Sequence, residues 1–141
     1  MSRIFWDTMM FIYLLEGNKE FAPQIRKTLT RSYERGDSLV TSYLALGEVM
    51  AGGAEDTAKA ETVRSTIAEM GFSFLPFDRD CAGPFATLRS VSRLKAPDAI
   101  HLACAAAAGV DMFLTGDTQL LNRRLHMPGI QFIAHFGMGV L

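Results

Sequence analysis

The sequence predicts an α/β fold: an α-β-α sandwich whose central sheet is mostly parallel and has four to five strands. Three observations predict it. Short apolar runs of strand length alternate with longer helical segments. Glycines, often beside a polar residue, close those helices. The resulting order, β-α-α-β-α-α-β-α-α-β-α-β, requires crossover connections, and these lay helices on both faces of a parallel sheet. At 141 residues the chain has the size of one domain able to bury a real core, and no linker, repeat or low-complexity segment divides it. Residues 1–141 are therefore expected to form a single domain.

Residues 2–6 form a short apolar strand that ends at Asp7-Thr8, a helix-start signal for a short buried helix over 9–15. Gly17-Asn18 stops it. Residues 21–34 read as a helix with Arg26, Lys27, Arg31 and Arg35 on its polar side, ended by Gly36-Asp37. A strand over 38–41 leads to Ser42, which can cap a helix running to Ala51. Gly52-Gly53 breaks the chain before an amphipathic helix over 55–70, closed by Gly71. A strand over 72–77 follows, with Phe72, Phe74 and Phe77 read as core or sheet face, and then a helix over 78–93 with Gly83-Pro84 near its first turn. Pro97 stands where proline is tolerated, at the start of a very apolar helix over 98–108 that ends at Gly109. A strand over 110–115, a short helix over 117–124 and a last strand over 131–134 complete the order.

Composition narrows the function classes. Apolar residues make up 49% of the chain and charged residues 21%, as in an ordered globular protein, and the formal net charge is −1. No global basic field exists to hold nucleic acid, so such a ligand would need a local patch or a metal. Cys81 and Cys104 have no metal-ligand spacing and are too few for a disulfide framework; they read as reduced core residues of a cytoplasmic protein. The apolar opening over 5–15 is interrupted by Asp7 and lacks a small-residue cleavage site, which argues against a signal peptide. The run over 99–114 is too short to span a bilayer, so no membrane association is expected. A mean hydropathy of +0.15 is high for a small monomer and points to apolar surface covered by a second copy or another protein.

The acids carry the chemistry. Ligands of an open parallel sheet bind beyond the carboxyl ends of its strands. Asp7 ends the first strand, Asp117 follows the fourth, Glu48 lies one to two turns into the helix after the second, and Asp98 opens the apolar helix before the fourth. Asp7 follows Ile4-Phe5-Trp6, Asp98 precedes Ala99-Ile100, and Glu48 is the only acid between Asp37 and Glu55. Carboxylates in such apolar settings are costly without a partner. Two of them about 5 Å apart at an effective dielectric of about 20 repel by roughly 3 kcal/mol. Four together need protons, cationic partners or a metal, and hard oxygen donors suit Mg²⁺ or Mn²⁺. Singly, each acid also has a plainer reading: Asp7 and Asp117 as helix caps, Asp98 as a first-turn acid, Glu48 as a solvent-facing side chain.

Three blocks carry a family resemblance: Phe5-Trp6-Asp7-Thr8 with Ile12-Tyr13-Leu14-Leu15; Thr41-Ser42 with Leu46-Gly47-Glu48-Val49; and Leu94-Lys95-Ala96-Pro97-Asp98-Ala99-Ile100-His101-Leu102-Ala103 with Phe113-Leu114-Thr115-Gly116-Asp117. With these blocks the whole chain resembles the PIN-domain family and, within it, the VapC-type toxin ribonucleases of type II toxin–antitoxin modules. The resemblance implies a Mg²⁺-dependent endoribonuclease that hydrolyses RNA phosphodiesters with a metal-activated water. It matches Asp7, Glu48, Asp98 and Asp117 to the acidic quartet, with Asp7, Asp98 and Asp117 at the metal. Glu48 is left to bind metal or orient water. Thr115 and Thr8 are expected to hydrogen-bond the carboxylates. It also implies an RNA substrate, a cognate antitoxin protein and a homodimer. The surface of residues 9–15 and 21–34 suits an amphipathic antitoxin segment.

One position departs from the family: Met9 stands where Asn or Ser is usual, two residues after the first Asp. It leaves open an alternative, a catalytically weakened PIN-like RNA-binding or scaffold module. A phosphatase with an aspartyl nucleophile would need a second Asp at that same position, and Gly52-Gly53 lacks the Lys-Ser/Thr of a phosphate loop. His101, three residues after Asp98, reads more readily as a core histidine than as a ligand or general base. His126 and His135 have no supporting pattern. Arg93 and Lys95 flank the helix of Asp98 and are candidates for RNA phosphate contacts, as is Arg123-Arg124, with solvated surface charge as the equal alternative.

Overall fold

A period-two alternation of apolar side chains organises the molecule. In the first strand Ile4 and Trp6 join one core while Phe5 joins the other; Leu39 and Val40, and Leu114 and Phe113, divide in the same way. Strands buried on both faces in this manner belong at the centre of a three-layer structure. The structure, a computed structural model, describes residues 1–52, 56–125 and 127–138. Gly53 of the expected chain break, Glu55 at the expected helix start and His126 lie outside the described residues.

In chain order the elements are β1 (Arg3–Trp6), α1 (Thr8–Leu15), α2 (Ala22–Arg35), β2 (Ser38–Ser42), α3 (Tyr43–Ala51), α4 (Thr57–Glu69), β3 (Phe72–Leu75), α5 (Arg79–Ser90), α6 (Ala96–Ala108), β4 (Met112–Thr115), α7 (Thr118–Asn122) and β5 (Phe132–His135), followed by a 3-10 turn (Phe136–Met138). All five strands are parallel, in the order β3-β2-β1-β4-β5. The chain winds outward from β1 to β3, then returns across the sheet to β4 on the other side of β1. Because parallel crossovers are right-handed, that reversal places the helices before and after it on opposite faces. One core accordingly contains Met10, Phe11, Ile25, Leu46, Val49 and Ile67 of α1–α4, and the other Leu88, Leu102 and Leu120 of α5–α7.

Trp6, Phe11 and Phe72 centre the first core, their rings packed at centroid separations of 4.8–5.2 Å. Phe5 stacks on Phe113 in the second, at 4.8 Å. Cys81 and Cys104 are free and buried, as expected of reduced core residues. Gly109 ends α6 in the left-handed conformation at φ 66°, and its N–H reaches back to the carbonyls of the last turn. Gly129, at φ 93°, runs so close to α6 that a Cβ there would strike the Ala106 carbonyl.

Several boundaries differ from those expected. Helix α6 begins at Ala96, not Asp98, so Pro97 and Asp98 both lie in its first turn, behind Lys95 as the capping position. Helix α5 is shorter than 78–93, and Pro84 sits beyond its first turn, where proline removes the bond to the carbonyl four residues earlier. That carbonyl belongs to Asp80, an exposed residue, so water can satisfy it. Strand β3 ends at Leu75; of the three aromatics, Phe72 is buried, Phe74 half-buried, and Phe77 lies past the strand with its ring against Phe85. Among the described residues no helix is long and apolar enough to cross a membrane.

Candidate metal centre

The carboxyl ends of β1, β2 and β4 lie side by side, because Phe5 pairs with Val40 and Trp6 with Leu114. Two further bonds lock these ends together: Thr41 Oγ1 donates to the Trp6 carbonyl at 2.8 Å, and the Asp7 N–H donates to the Leu114 carbonyl at 3.0 Å. The reversal of strand order falls between β1 and β4, where the first helices of the two halves diverge and leave a crevice. A cleft of about 520 Å³ opens there. Asp7, Glu48, Asp98 and Asp117 all line it, together with Thr8, Met9, Tyr13, Pro97 and His101. The four acids singled out in the sequence thus come to one place.

Each acid is held differently. Asp7 caps α1: one carboxyl oxygen accepts the Thr8 N–H at 2.8 Å, and the other accepts the buried Thr115 hydroxyl at 2.8 Å. Asp117 caps α7, its Oδ1 accepting the N–H groups of Gln119 and Leu120 at 2.9 and 3.2 Å. Its own N–H donates to Thr115 Oγ1 at 3.0 Å, so one buried hydroxyl ties together the two acids that follow β1 and β4. The capping readings are therefore correct for Asp7 and Asp117, and both acids line the cleft as well. Glu48, in the second turn of α3, accepts the Thr8 hydroxyl at 2.8 Å through Oε1. Asp98 enters from the first turn of α6.

Electrostatics mark the cleft as short of positive charge. Burial pushes the Asp98 carboxyl above the usual aspartate range, and the neighbouring charges of Asp7, Asp117 and, more weakly, Glu48 push it further, against an opposing pull from His101. None of the described residues lining the cleft is Lys or Arg. Arg93 and Lys95 are exposed, and neither is among those lining residues. Arg123 and Arg124 line a separate cavity of about 460 Å³ between α5 and the end of α7.

Among the described residues no three acid, His or Cys side chains already converge on a single ion-sized point. The donor set fits a hard divalent cation: four carboxylate side chains share the cleft, and the hydrogen bonds that Asp7, Glu48 and Asp117 accept there come from hydroxyl, backbone and imidazole groups rather than from Arg or Lys.

His101 and Ser42 are the residues that sequence reasoning undervalued. His101 is buried, as a core histidine would be, but its ring bridges polar groups: Nδ1 lies 2.8 Å from Ser42 Oγ and Nε2 lies 2.8 Å from Glu48 Oε1. Ser42 was expected only as a helix cap, and it does accept the Ala45 N–H at 2.9 Å. The three-residue spacing of Asp98 and His101 on one helix face was the available signal. No local signal joined His101 to Ser42, which is 59 residues away.

An all-parallel sheet with four acids beside its strand reversal defines the class: an α/β domain whose cleft lies at its topological switch point. The PIN-domain model matches residues 4–124, and the chain belongs to that family. No curated protein matches it at a significant level. Among solved structures it is similar to a chain of a toxin–antitoxin complex from Klebsiella pneumoniae, with 25% identity and a TM-score of 0.63 over 90% of this chain and 94% of that one. It is also similar to a chain of VapBC2 from Rickettsia felis bound to a DNA fragment, with 15% identity and a TM-score of 0.72 over 94% and 98%. A third similarity is to a chain of FitAcB from Neisseria gonorrhoeae, with 19% identity and a TM-score of 0.68 over 93% and 96%.

Proposed function

We propose that the protein is a Mg²⁺-dependent (or Mn²⁺-dependent) endoribonuclease, the toxin of a toxin–antitoxin pair, formed by one PIN domain over residues 1–141. The observation that carries this reading is the gathering of Asp7, Glu48, Asp98 and Asp117, from four separate elements, on a cleft with no lysine or arginine among its described lining residues. Asp7, Asp98 and Asp117 would hold the cation, with Glu48 beside it. When bound, the divalent ion supplies charge neutralisation at the phosphate and a water of lowered pKa.

The chain's own residues supply the rest. Thr115 fixes one oxygen of Asp7 and the backbone of Asp117, so both acids keep their place as charge changes in the cleft. Thr8 and His101 fix one oxygen of Glu48, leaving the other free to accept a proton from water or to orient it. Met9 lines the cleft at 40% exposure and offers no hydrogen bond. Asp7 nevertheless has both oxygens engaged without help from residue 9, which favours an active enzyme over a weakened module.

The similar Klebsiella pneumoniae chain comes from a toxin–antitoxin complex, and a groove lies beside the cleft here. Ile12, Leu15, Val49 and Val63 line it together with Glu16, Glu48 and Lys59. An amphipathic antitoxin segment suits this groove. A homodimer in the cytoplasm, acting on RNA, completes the proposal.

The test is cleavage of single-stranded RNA by purified protein. The wild type should cut in Mg²⁺ and stop in EDTA, and Asp7→Asn should lower the rate by at least about 100-fold, as loss of a direct metal contact does. Equal cleavage by Asp7→Asn and wild type would refute it.

A further inference from the structure

We infer that His101 is a positioning residue, held in place against Ser42 so that it pins one oxygen of Glu48 and turns the other toward the cleft. The inference rests on the metal-dependent reading of the site, and it assigns the histidine a role in that site that is neither ligand nor base.

Donor accounting fixes which atom of the ring faces Glu48 with a proton. Ser42 Oγ accepts the Ala45 N–H at 2.9 Å and lies 2.8 Å from His101 Nδ1, which it can meet as donor or as acceptor. Nε2 must carry a proton, because Glu48 Oε1 stands 2.8 Å from it and a carboxylate oxygen only accepts. The opposite tautomer would set a nitrogen lone pair against a carboxylate oxygen. Thr8 Oγ1 donates to that same Oε1 at 2.8 Å. Two donors from two helices thus converge on one oxygen of Glu48, while its side chain stays 37% exposed.

Packing makes the pin rigid. His101 is 2% exposed, between Ala99 and Leu102, both fully buried, and its ring lies against Phe5 with centroids 6.2 Å apart. With Nδ1 facing Ser42 and Nε2 facing Glu48, no ring lone pair is left for a cation or a water. A glutamate on an otherwise apolar helix has several rotamers available, and selecting one in advance removes that ordering cost when a cation binds. The chain Ser42–His101–Glu48 therefore links the end of β2 to α6 and α3 through one imidazole.

The two ring nitrogens can be replaced separately. His101→Asn keeps a polar group near the Nδ1 position, beside Ser42, and loses the donor to Glu48. His101→Gln keeps a donor near the Nε2 position. The readouts are Mn²⁺ affinity, followed by thermal shift during a Mn²⁺ titration, and kcat and KM for Mg²⁺-dependent cleavage of single-stranded RNA. His101→Asn should weaken Mn²⁺ binding and lower kcat by about 10–100-fold, with KM for RNA little changed, and His101→Gln should recover most of both. In a Glu48→Ala background the same His101→Asn change should have almost no further effect.

A purely structural histidine gives a different pattern. Asn and Gln would then act alike, or the His101→Asn loss would persist in full beside Glu48→Ala, and either result overturns the inference. Failure of the proposed function would show in the wild type, as absence of RNA cleavage. Failure of the pin shows only in the variants, and the Mn²⁺ titration reads it even if RNA is not the substrate.

Discussion

Replacing Asp98 with asparagine should stabilise the protein in the absence of divalent ions. Asp98 is half-buried in the first turn of α6 and carries its charge toward Asp7, Asp117 and Glu48. One like-charge neighbour at about 6 Å and an effective dielectric of about 20 contributes roughly 3 kcal/mol of repulsion. The cleft is open to water and ions, which reduces that to about half. An acid in the first turn also gains about 0.5 kcal/mol from the helix dipole, which the asparagine would forfeit. The balance is a gain of about 1 kcal/mol, or about 3–4 °C in Tm for a chain of this size.

The sign with pH follows from the direction of the shift. A carboxyl whose folded-state pKa is raised contributes fully below the ordinary aspartate value of about 4, and that contribution is lost as pH climbs through the raised value. Wild type and Asp98→Asn should therefore melt together at low pH and separate as pH rises, the variant lying above. Calorimetry in EDTA at pH 4 and pH 7, at low and high salt, measures this directly. The ordering should reverse in saturating Mn²⁺, because the variant lacks one of the cation's proposed contacts. An Asp98→Asn protein that melts at or below the wild type in EDTA at pH 7 would refute the claim that these acids repel one another.

Thr115→Val removes a hydroxyl that donates to Asp7 and accepts from Asp117 while keeping its shape, so it should lower stability by about 1–3 kcal/mol, read as a fall in the urea midpoint at unchanged m. Thr115→Ser should retain most of what is lost. The thiols of Cys81 and Cys104 are both buried, and the Cys104 thiol is pushed up to about 12 by burial and by Cys81 beside it. Neither should react with a disulfide reagent at pH 8 in the native protein, and both should react once urea unfolds it.

Much of the molecule was legible in the chain because it depends on local pattern. The short apolar runs that became β1, β2 and β4, the glycine that closes α6 and the serine that caps α3 each act within a few residues, and the structure places them as expected. Boundaries shifted where two local rules competed: Pro97 tolerates a helix starting before it as readily as one starting at it, and α6 begins at Ala96. Pro84 was expected near the first turn, yet packing of Cys81 against Ala103 and Cys104, and of Leu88 into the second core, continues the helix on both sides of it. The positions of the four acids relative to strand ends followed from the same reading, since the carboxyl edge of a parallel sheet collects whatever the chain places there.

What sequence alone determined was therefore which residues could reach the cleft, a question of periodicity and strand order. What only the tertiary structure decided was how they are held there. The hydroxyl of Thr115 shared between Asp7 and Asp117, and the ring of His101 shared between Ser42 and Glu48, join residues up to 108 positions apart. A hydrogen bond requires two atoms within about 3 Å in a fixed direction, and no spacing along a chain encodes that. The same histidine, on the same apolar helix, would read as filler until the fold set a carboxylate against one nitrogen and a hydroxyl against the other.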